Sequence, residues 1–297
     1  YPNTKHANQV YQLLADMYMS SKNYSAALEA INEIPNPDSK LQETKQYLRY
    51  QLGADAFLQG RMGEARQWMS EVISNESGTS LYKTDAYYYR AECLYRLHEY
   101  EACYSDIMTY KQQPNVAKSK NVGNVDYLAG YSLFSLKQYN EAEVMFRQFI
   151  RSASASEPVY ADALNRIGDC CFNARAFNDA ADTYQRVIDL NSTGADYALF
   201  QRGYALGLMH RYQDKATVME QLVNRYAKSD YADDALYEIA RAHLQAENTK
   251  DAINAYNRLI ENYPNSNLSR KASLELGMAY QTQQQYDNAI QAFKRTL

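Results

Sequence analysis

The chain has 297 residues, 46% of them hydrophobic, and its 11 Gly and 6 Pro are scattered rather than clustered. That composition excludes a disordered chain and describes a folded, helix-rich one. The net charge of −4, with no basic block, makes nucleic acid a poor partner, and no apolar run approaches the roughly 20 residues that span a bilayer. Against 8 Phe and 1 Trp stand 29 Tyr, a surplus that composition alone does not account for.

Taken in chain order, one helix–turn–helix pattern recurs. It reads LLADMYMSSKNYSAALEAI, QLGADAFLQGRMGEARQWM, YRAECLYRLHEYEACYSDI and LAGYSLFSLKQYNEAEVMF, then RIGDCCFNARAFNDAADTY, QRGYALGLMHRYQDKATVM, EIARAHLQAENTKDAINAY and ELGMAYQTQQQYDNAIQAF. The small residue of the second helix falls at Ala27, Ala65, Cys103, Ala142, Ala180, Lys215, Ala252 and Ala289, at spacings of 38, 38, 39, 38, 35, 37 and 37 residues. A steady period of this length is the signature of a repeat array. The expected units are 8–44, 45–83, 84–122, 123–160, 161–195, 196–232, 233–269 and 270–297. Each carries too few core side chains to offset the conformational entropy of ordering it alone, so neighbours must stack.

The pattern resembles the tetratricopeptide repeat along essentially the whole chain. The last unit matches best, with Leu276-Gly277, Tyr280, Tyr286, Ala289 and Phe293, and the unit before it ends in Tyr263-Pro264. Departures are Lys215 at the small position, Arg90 and Arg202 at an apolar one, and units three to five residues longer than the family's usual one. The added length is expected in helices or inter-repeat turns. Lys215 is expected to snorkel or to widen the sixth unit. The resemblance implies an all-α fold, a right-handed superhelix (solenoid) of about eight helix–turn–helix repeats with no β-sheet. The YPNS seam is most similar to tetratricopeptide arrays of bacterial envelope proteins, so a periplasmic or envelope-associated setting is favoured over the cytoplasm. The opening Tyr1-Pro2-Asn3 reads as the tail of a preceding repeat, and the expectation is a segment of a longer array. End-to-end self-association through apolar residues such as Ile290 and Phe293 is expected with it.

No chemistry-bearing constellation emerges. The four His (His6, His98, His210, His243) belong to different units, and no HExxH, GxSxG or phosphate-binding glycine loop occurs. The expectation is a non-enzymatic protein without cofactor or metal. Cys93, Cys103, Cys170 and Cys171 lack CxxC spacing. Cys103 and Cys171 occupy positions where the family places buried small or apolar residues, and a free buried thiol is the favoured reading. A Cys93–Cys103 disulfide is the alternative in an oxidising compartment.

First-helix core positions are spaced like Leu236, Ile239, Ala240 and His243. A second stripe lies roughly 140° away, at about 100° per residue, on a side that an isolated amphipathic helix would give to water. Of 40 stripe positions 13 are aromatic, where the chain's 13% predicts about five. The resemblance implies that this side lines a concave groove holding an extended peptide. The candidate partner-binding residues are Tyr47, Tyr50, Tyr88, Glu92, Tyr95, Arg96, Tyr127, Tyr131, Asp169, Tyr197, Phe200, Tyr204, Tyr237 and Arg241. Phe57, Phe134 and Phe172, nearer the core side, are expected to pack between first helices. With Asp16, Asp85, Glu92, Asp162, Asp169 and Asp234 on the stripe and no basic clamp, a neutral or basic protein segment is the expected partner. A purely structural array, or a recognition arm of a larger protein, is the alternative.

Overall fold

A computed structural model describes residues 7–74 and 81–296. The opening YPN, His6 and Leu297 lie outside the described residues. Sixteen α-helices are present among the described residues, with a single 3₁₀ turn at Val116–Lys118 and no strand. They are α1 (Ala7–Ser20), α2 (Tyr24–Asn32), α3 (Ser39–Leu58), α4 (Met62–Ser74), α5 (Leu81–Arg96), α6 (Tyr100–Lys111), α7 (Val125–Ser135) and α8 (Tyr139–Ser152). Then come α9 (Pro158–Asn173), α10 (Phe177–Leu190), α11 (Ala195–Leu208), α12 (Tyr212–Arg225), α13 (Ala232–Gln245), α14 (Thr249–Asn262), α15 (Ser269–Thr282) and α16 (Tyr286–Lys294).

Helix bounds shift the expected unit edges. The edges at 44/45, 83/84 and 160/161 would cut α3, α5 and α9, because those helices begin at Ser39, Leu81 and Pro158. The added length appears in both expected places: α3 runs 20 residues, and residues 112–124 form a long turn between α6 and α7. The chain divides into two compact units, Tyr1–Met145 and Phe146–Leu297.

The turn inside each helix pair repeats one backbone device. Lys22, Gly60, His98, Lys137, Arg175, His210, Glu247 and Gln284 all have positive φ, between 58° and 77°, and they reproduce the sequence period residue for residue. Each closes its first helix with paired bonds, such as Arg175 N–H to Phe172 O at 3.0 Å and Ala176 N–H to Cys171 O at 2.9 Å. That is the Schellman arrangement, which satisfies two orphan carbonyls and turns the chain back on itself. Only the second pair uses Gly there, so seven pairs hold a side chain in left-handed backbone.

Within a pair the helices run antiparallel, since Gln46 bonds Val72 O while Gly53 meets Trp68 and Met69. The first helix carries a small residue at the crossing: Ala15, Gly53, Ala91, Gly130, Gly168, Gly203, Ala240 and Gly277, all buried. At Gly53, Gly168, Gly203 and Gly277 the partner helix inserts a bulky side chain. A Cβ on Gly168 would stand 2.5 Å from the Tyr184 ring, and one on Gly277 would stand 2.4 Å from Phe293. Where it is Ala, the equivalent partner is Ile31, Ile107 or Tyr256. The second-helix positions read as small are buried as well, from Ala27 at 0% exposed to Lys215 at 6%.

Candidate functional site

The surplus tyrosine goes first into packing between helix pairs. In the first unit Tyr47 lies 6.3 Å from Tyr24 and 5.6 Å from Tyr82. Tyr50 meets Tyr82 at 5.4 Å and Tyr89 at 6.0 Å, and Phe57 meets Tyr89 at 5.4 Å. Rings of α3 and α5 therefore interdigitate, and burial raises the Tyr50 hydroxyl above its ordinary value. Tyr88 sits against Tyr110 and donates to Glu92 at 2.9 Å. Arg96 lies over the Phe57 ring at 4.7 Å and reaches Glu92 at 3.8 Å. Further on, Tyr95 contacts Tyr131 at 6.3 Å, and Tyr127 and Tyr131, one turn apart on α7, meet edge to face at 5.0 Å.

The second unit organises its rings around buried carboxylates. Asp169 of α9 accepts from Tyr184 at 2.6 Å and from Tyr197 at 2.7 Å, with Arg166 at 2.6 Å from its other oxygen. Burial pushes the Asp169 carboxyl up; Arg166 and the two hydroxyls oppose that shift. Glu275 of α15 accepts from Tyr237 and from Tyr256, linking the last two pairs. Arg241 and Lys271 lie over the Tyr237 ring at 5.9 and 4.8 Å, and Arg241 bonds Glu238 at 3.2 Å. Phe200 stacks on Tyr231 at 5.0 Å and meets Tyr204 edge to face at 5.0 Å. Lys215, expected to snorkel or to widen its repeat, is buried against Glu238 and under Tyr204, whose hydroxyl is pushed up to about 12 chiefly by burial. Room for its stem comes from Gly207, where equivalent positions carry Phe57, Tyr95, Phe134 and Phe172.

Three stripe residues therefore lie inside rather than on a face. Tyr88, Asp169 and Tyr237 are 7%, 6% and 4% exposed, because each is hydrogen-bonded into a neighbouring helix or turn of its own helix. Tyr47, Tyr50, Glu92, Tyr95, Tyr127, Tyr131, Tyr197, Phe200 and Tyr204 are half-buried, while Arg96 and Arg241 are exposed. Phe57 packs between first helices as expected, and Phe134 and Phe172 also meet the first residues of their own second helices, Tyr139 and Phe177. Sequence reading missed the acceptors Glu238 and Glu275, and also Tyr231. The clue to the acceptors was a carboxylate at a first-helix position that elsewhere holds Leu13, Tyr89 or Leu128.

Seams are tied by a second repeated link. Ser229 donates to Asp196 at 2.6 Å, and Ser266 donates to Asp233 at 2.5 Å, each bond spanning one repeat. The seam tyrosines reach back likewise, Tyr226 to Asn191 at 3.3 Å and Tyr263 to Ala227 O at 2.8 Å. All four cysteines are buried, and no disulfide joins them. Cys93 packs with Ala56 and Ala65, while Cys103 accepts from Ser132 on the opposite side, so the disulfide alternative finds no support. Among the described residues no cluster of metal-ligating side chains occurs, and no helix is long and apolar enough to cross a membrane.

No curated protein matches the chain. Among solved structures, the C-terminal part of a TPR repeat-containing protein from Cytophaga hutchinsonii is 20% identical, covering 84% of this chain and 94% of its own at a TM-score of 0.67. The tetratricopeptide repeat sensor protein of the STAND ATPase class from Pyrococcus horikoshii is 12% identical, with 99% of this chain and 53% of its own covered at 0.60. YrrB, described as a TPR protein with an unusual peptide-binding site, is 19% identical, with 69% and 96% covered at 0.52. These likenesses are of fold. The sequence model of the tetratricopeptide repeat matches residues 127–195, 200–267 and 237–297, and the eight-fold register of left-handed turns carries the same pattern ahead of residue 127. With more than half of the chain matched, this protein belongs to the tetratricopeptide repeat family.

Proposed function

We propose that the chain is a non-enzymatic protein–protein interaction scaffold that holds an extended partner segment on its first-helix faces. The observation that carries this is the pair of half-buried aromatic clusters, Tyr95–Tyr127–Tyr131 in the first unit and Tyr197–Phe200–Tyr204 in the second. Rings with part of their area in water and a polar tip suit a peptide better than they suit solvent. Asp234 supports a neutral or basic segment: its half-buried carboxyl is raised by burial and by the charges of Asp233 and Glu238, and an incoming cation relieves that repulsion.

The test selects extended peptides against the whole chain from a display library and measures the best binder on Tyr127→Ala/Tyr131→Ala and on Phe200→Ala/Tyr204→Ala. Aromatic anchors at hot spots contribute about 2 kcal/mol or more, so affinity should fall at least tenfold in one variant with little change in melting temperature. Unchanged affinity in both, with a large loss of stability, would mean that the rings serve packing alone.

A specific observation also favours self-association. Val10, Leu13 and Met17 of α1 are 53%, 72% and 53% exposed, while Leu48, the equivalent of Val10, is fully buried against α2. Leu274, Met278 and Ile290 of α15 and α16 are exposed in the same way. We propose that a second copy docks these faces as the helix pairs dock within the chain. Sedimentation of Leu13→Glu/Ile290→Glu against the unmodified chain decides this; equal distributions count against it.

A further inference from the structure

Asp234 lies half-buried in the first turn of α13, and among the described residues it takes part in no hydrogen bond or ion pair. The carboxylates beside it are engaged: Asp233 accepts from Ser266 at 2.5 Å, and Glu238 accepts from Lys215 and Arg241. Asp85 stands at the equivalent position of the third pair, and there the following turn supplies Ser119 and Asn121 to it. In the seventh pair the turn serine goes to Asp233 instead, so Asp234 is passed over. The cations around α13 are committed as well, Lys215 and Arg241 to Glu238, and Lys271 over the Tyr237 ring at 4.8 Å.

An aromatic wall stands beside this carboxylate. Tyr231, three residues earlier, stacks on Phe200 at 5.0 Å, and Phe200 meets Tyr204 edge to face at 5.0 Å. The Tyr204 hydroxyl in turn feels the charges of Glu238 and Asp234. All three rings are half-buried, so part of each face is open to water. Elsewhere in this region the chain lays cations over such rings: Lys215 is 5.5 Å from the Tyr204 ring centre, and Arg241 is 5.9 Å from that of Tyr237. An acid in the first turn of a helix gains from the macrodipole, but Asp233 already occupies that turn. Asp234 adds a second charge there, desolvated and repelled by Asp233 and Glu238.

We propose that Asp234, with Phe200, Tyr204 and Tyr231, seats one arginine or lysine side chain of the partner segment. This rests on the scaffold reading above and adds the residue that the partner must carry. The stem of a basic side chain lies along ring surface, the ring faces attract its cation, and the carboxylate ends its charge. A neutral side chain leaves Asp234 as it is. An acidic one brings a further like charge to Asp233, Asp234 and Glu238, and the site rejects it.

The test runs the display selection of extended peptides in parallel on the full chain and on Asp234→Asn. Binders from the unmodified chain should share an arginine or lysine at one position, and binders from Asp234→Asn should not. Replacing that residue by citrulline or norleucine should weaken binding about tenfold on the unmodified chain and far less on Asp234→Asn. Binders that depend on Phe200 and Tyr204 but share no basic residue overturn this inference and leave the scaffold reading standing. The same holds for a basic residue worth as much on Asp234→Asn, or for binders that depend on Tyr127 and Tyr131 alone. No binder, or none that responds to either aromatic double variant, removes both readings. A second measurement needs no peptide: without ligand, Asp234→Asn should raise the melting temperature at neutral pH, because it relieves an uncompensated charge. A lower melting temperature would assign the carboxylate to the helix terminus and overturn the proposal.

Discussion

Lys215 of α12 gives its ammonium to Glu238 of α13, and both side chains are under a tenth exposed. A lysine at a helix crossing is tolerated only because its charge ends at a carboxylate that the next pair supplies. Removing one partner leaves the other buried and uncompensated. Lys215→Met or Glu238→Leu alone should lose about 3 kcal/mol of unfolding free energy, with the loss in the second case eased by the exposed neighbour Arg241. The double variant Lys215→Met/Glu238→Leu should recover most of it, because an apolar pair needs no compensation. Denaturant titration of all three variants checks this; losses that simply add would show that the pair does not act as a unit.

A pH dependence follows from Asp169. Its folded carboxyl is raised from the ordinary 3.8, chiefly by burial. The folded chain therefore holds that proton more tightly than the unfolded chain does. Its contribution is complete below the ordinary value and is lost as pH rises through the raised one. Asp169→Asn keeps an acceptor for Tyr184 and Tyr197 but cannot ionise. Its melting temperature relative to the unmodified chain should thus be more favourable near pH 7 than near pH 4. A difference that does not change with pH would remove the argument.

Gly168→Ala should destabilise by about 1–3 kcal/mol, since the new methyl meets the Tyr184 ring at 2.5 Å in a packed crossing. Gly63→Ala, with nothing within 4 Å, should not. Equal effects in calorimetry would show that the crossing distance is not what selects glycine at 168.

Left-handed residues other than Gly should gain from replacement. Lys137→Gly and Arg175→Gly, at φ 61° in both cases, should each stabilise by about 0.5–1 kcal/mol, because the Cβ clash disappears. Thermal unfolding of each variant is the measurement, and a lower melting temperature in both would be the contrary result.

Thiol chemistry should follow burial. Cys93 and Cys103 are pushed up to about 11 and about 12 by burial, which leaves almost no thiolate at neutral pH. The native chain should resist a thiol reagent, and all 4 cysteines should react once it is denatured without reductant. Only two reacting would mean that a disulfide had formed.

The period, the helix–turn–helix unit and the buried small residues were legible in the sequence because each depends on contacts inside one helix or between adjacent helices. Ala65 and Gly277 are small for a local reason, the distance at which two helices cross. The angular stripe that singled out Tyr127 and Tyr131 also followed from helix geometry alone. What a stripe residue does was decided by tertiary structure, because one side of a first helix faces solvent at some positions and the adjacent pair at others. Tyr88 and Tyr237 share the angular position of Tyr127, yet Glu92 and Glu275 draw their hydroxyls inside. Glu92 stands one turn on along the same helix, within reach of helix periodicity, whereas Glu275 belongs to another helix and no periodicity within a helix can locate it.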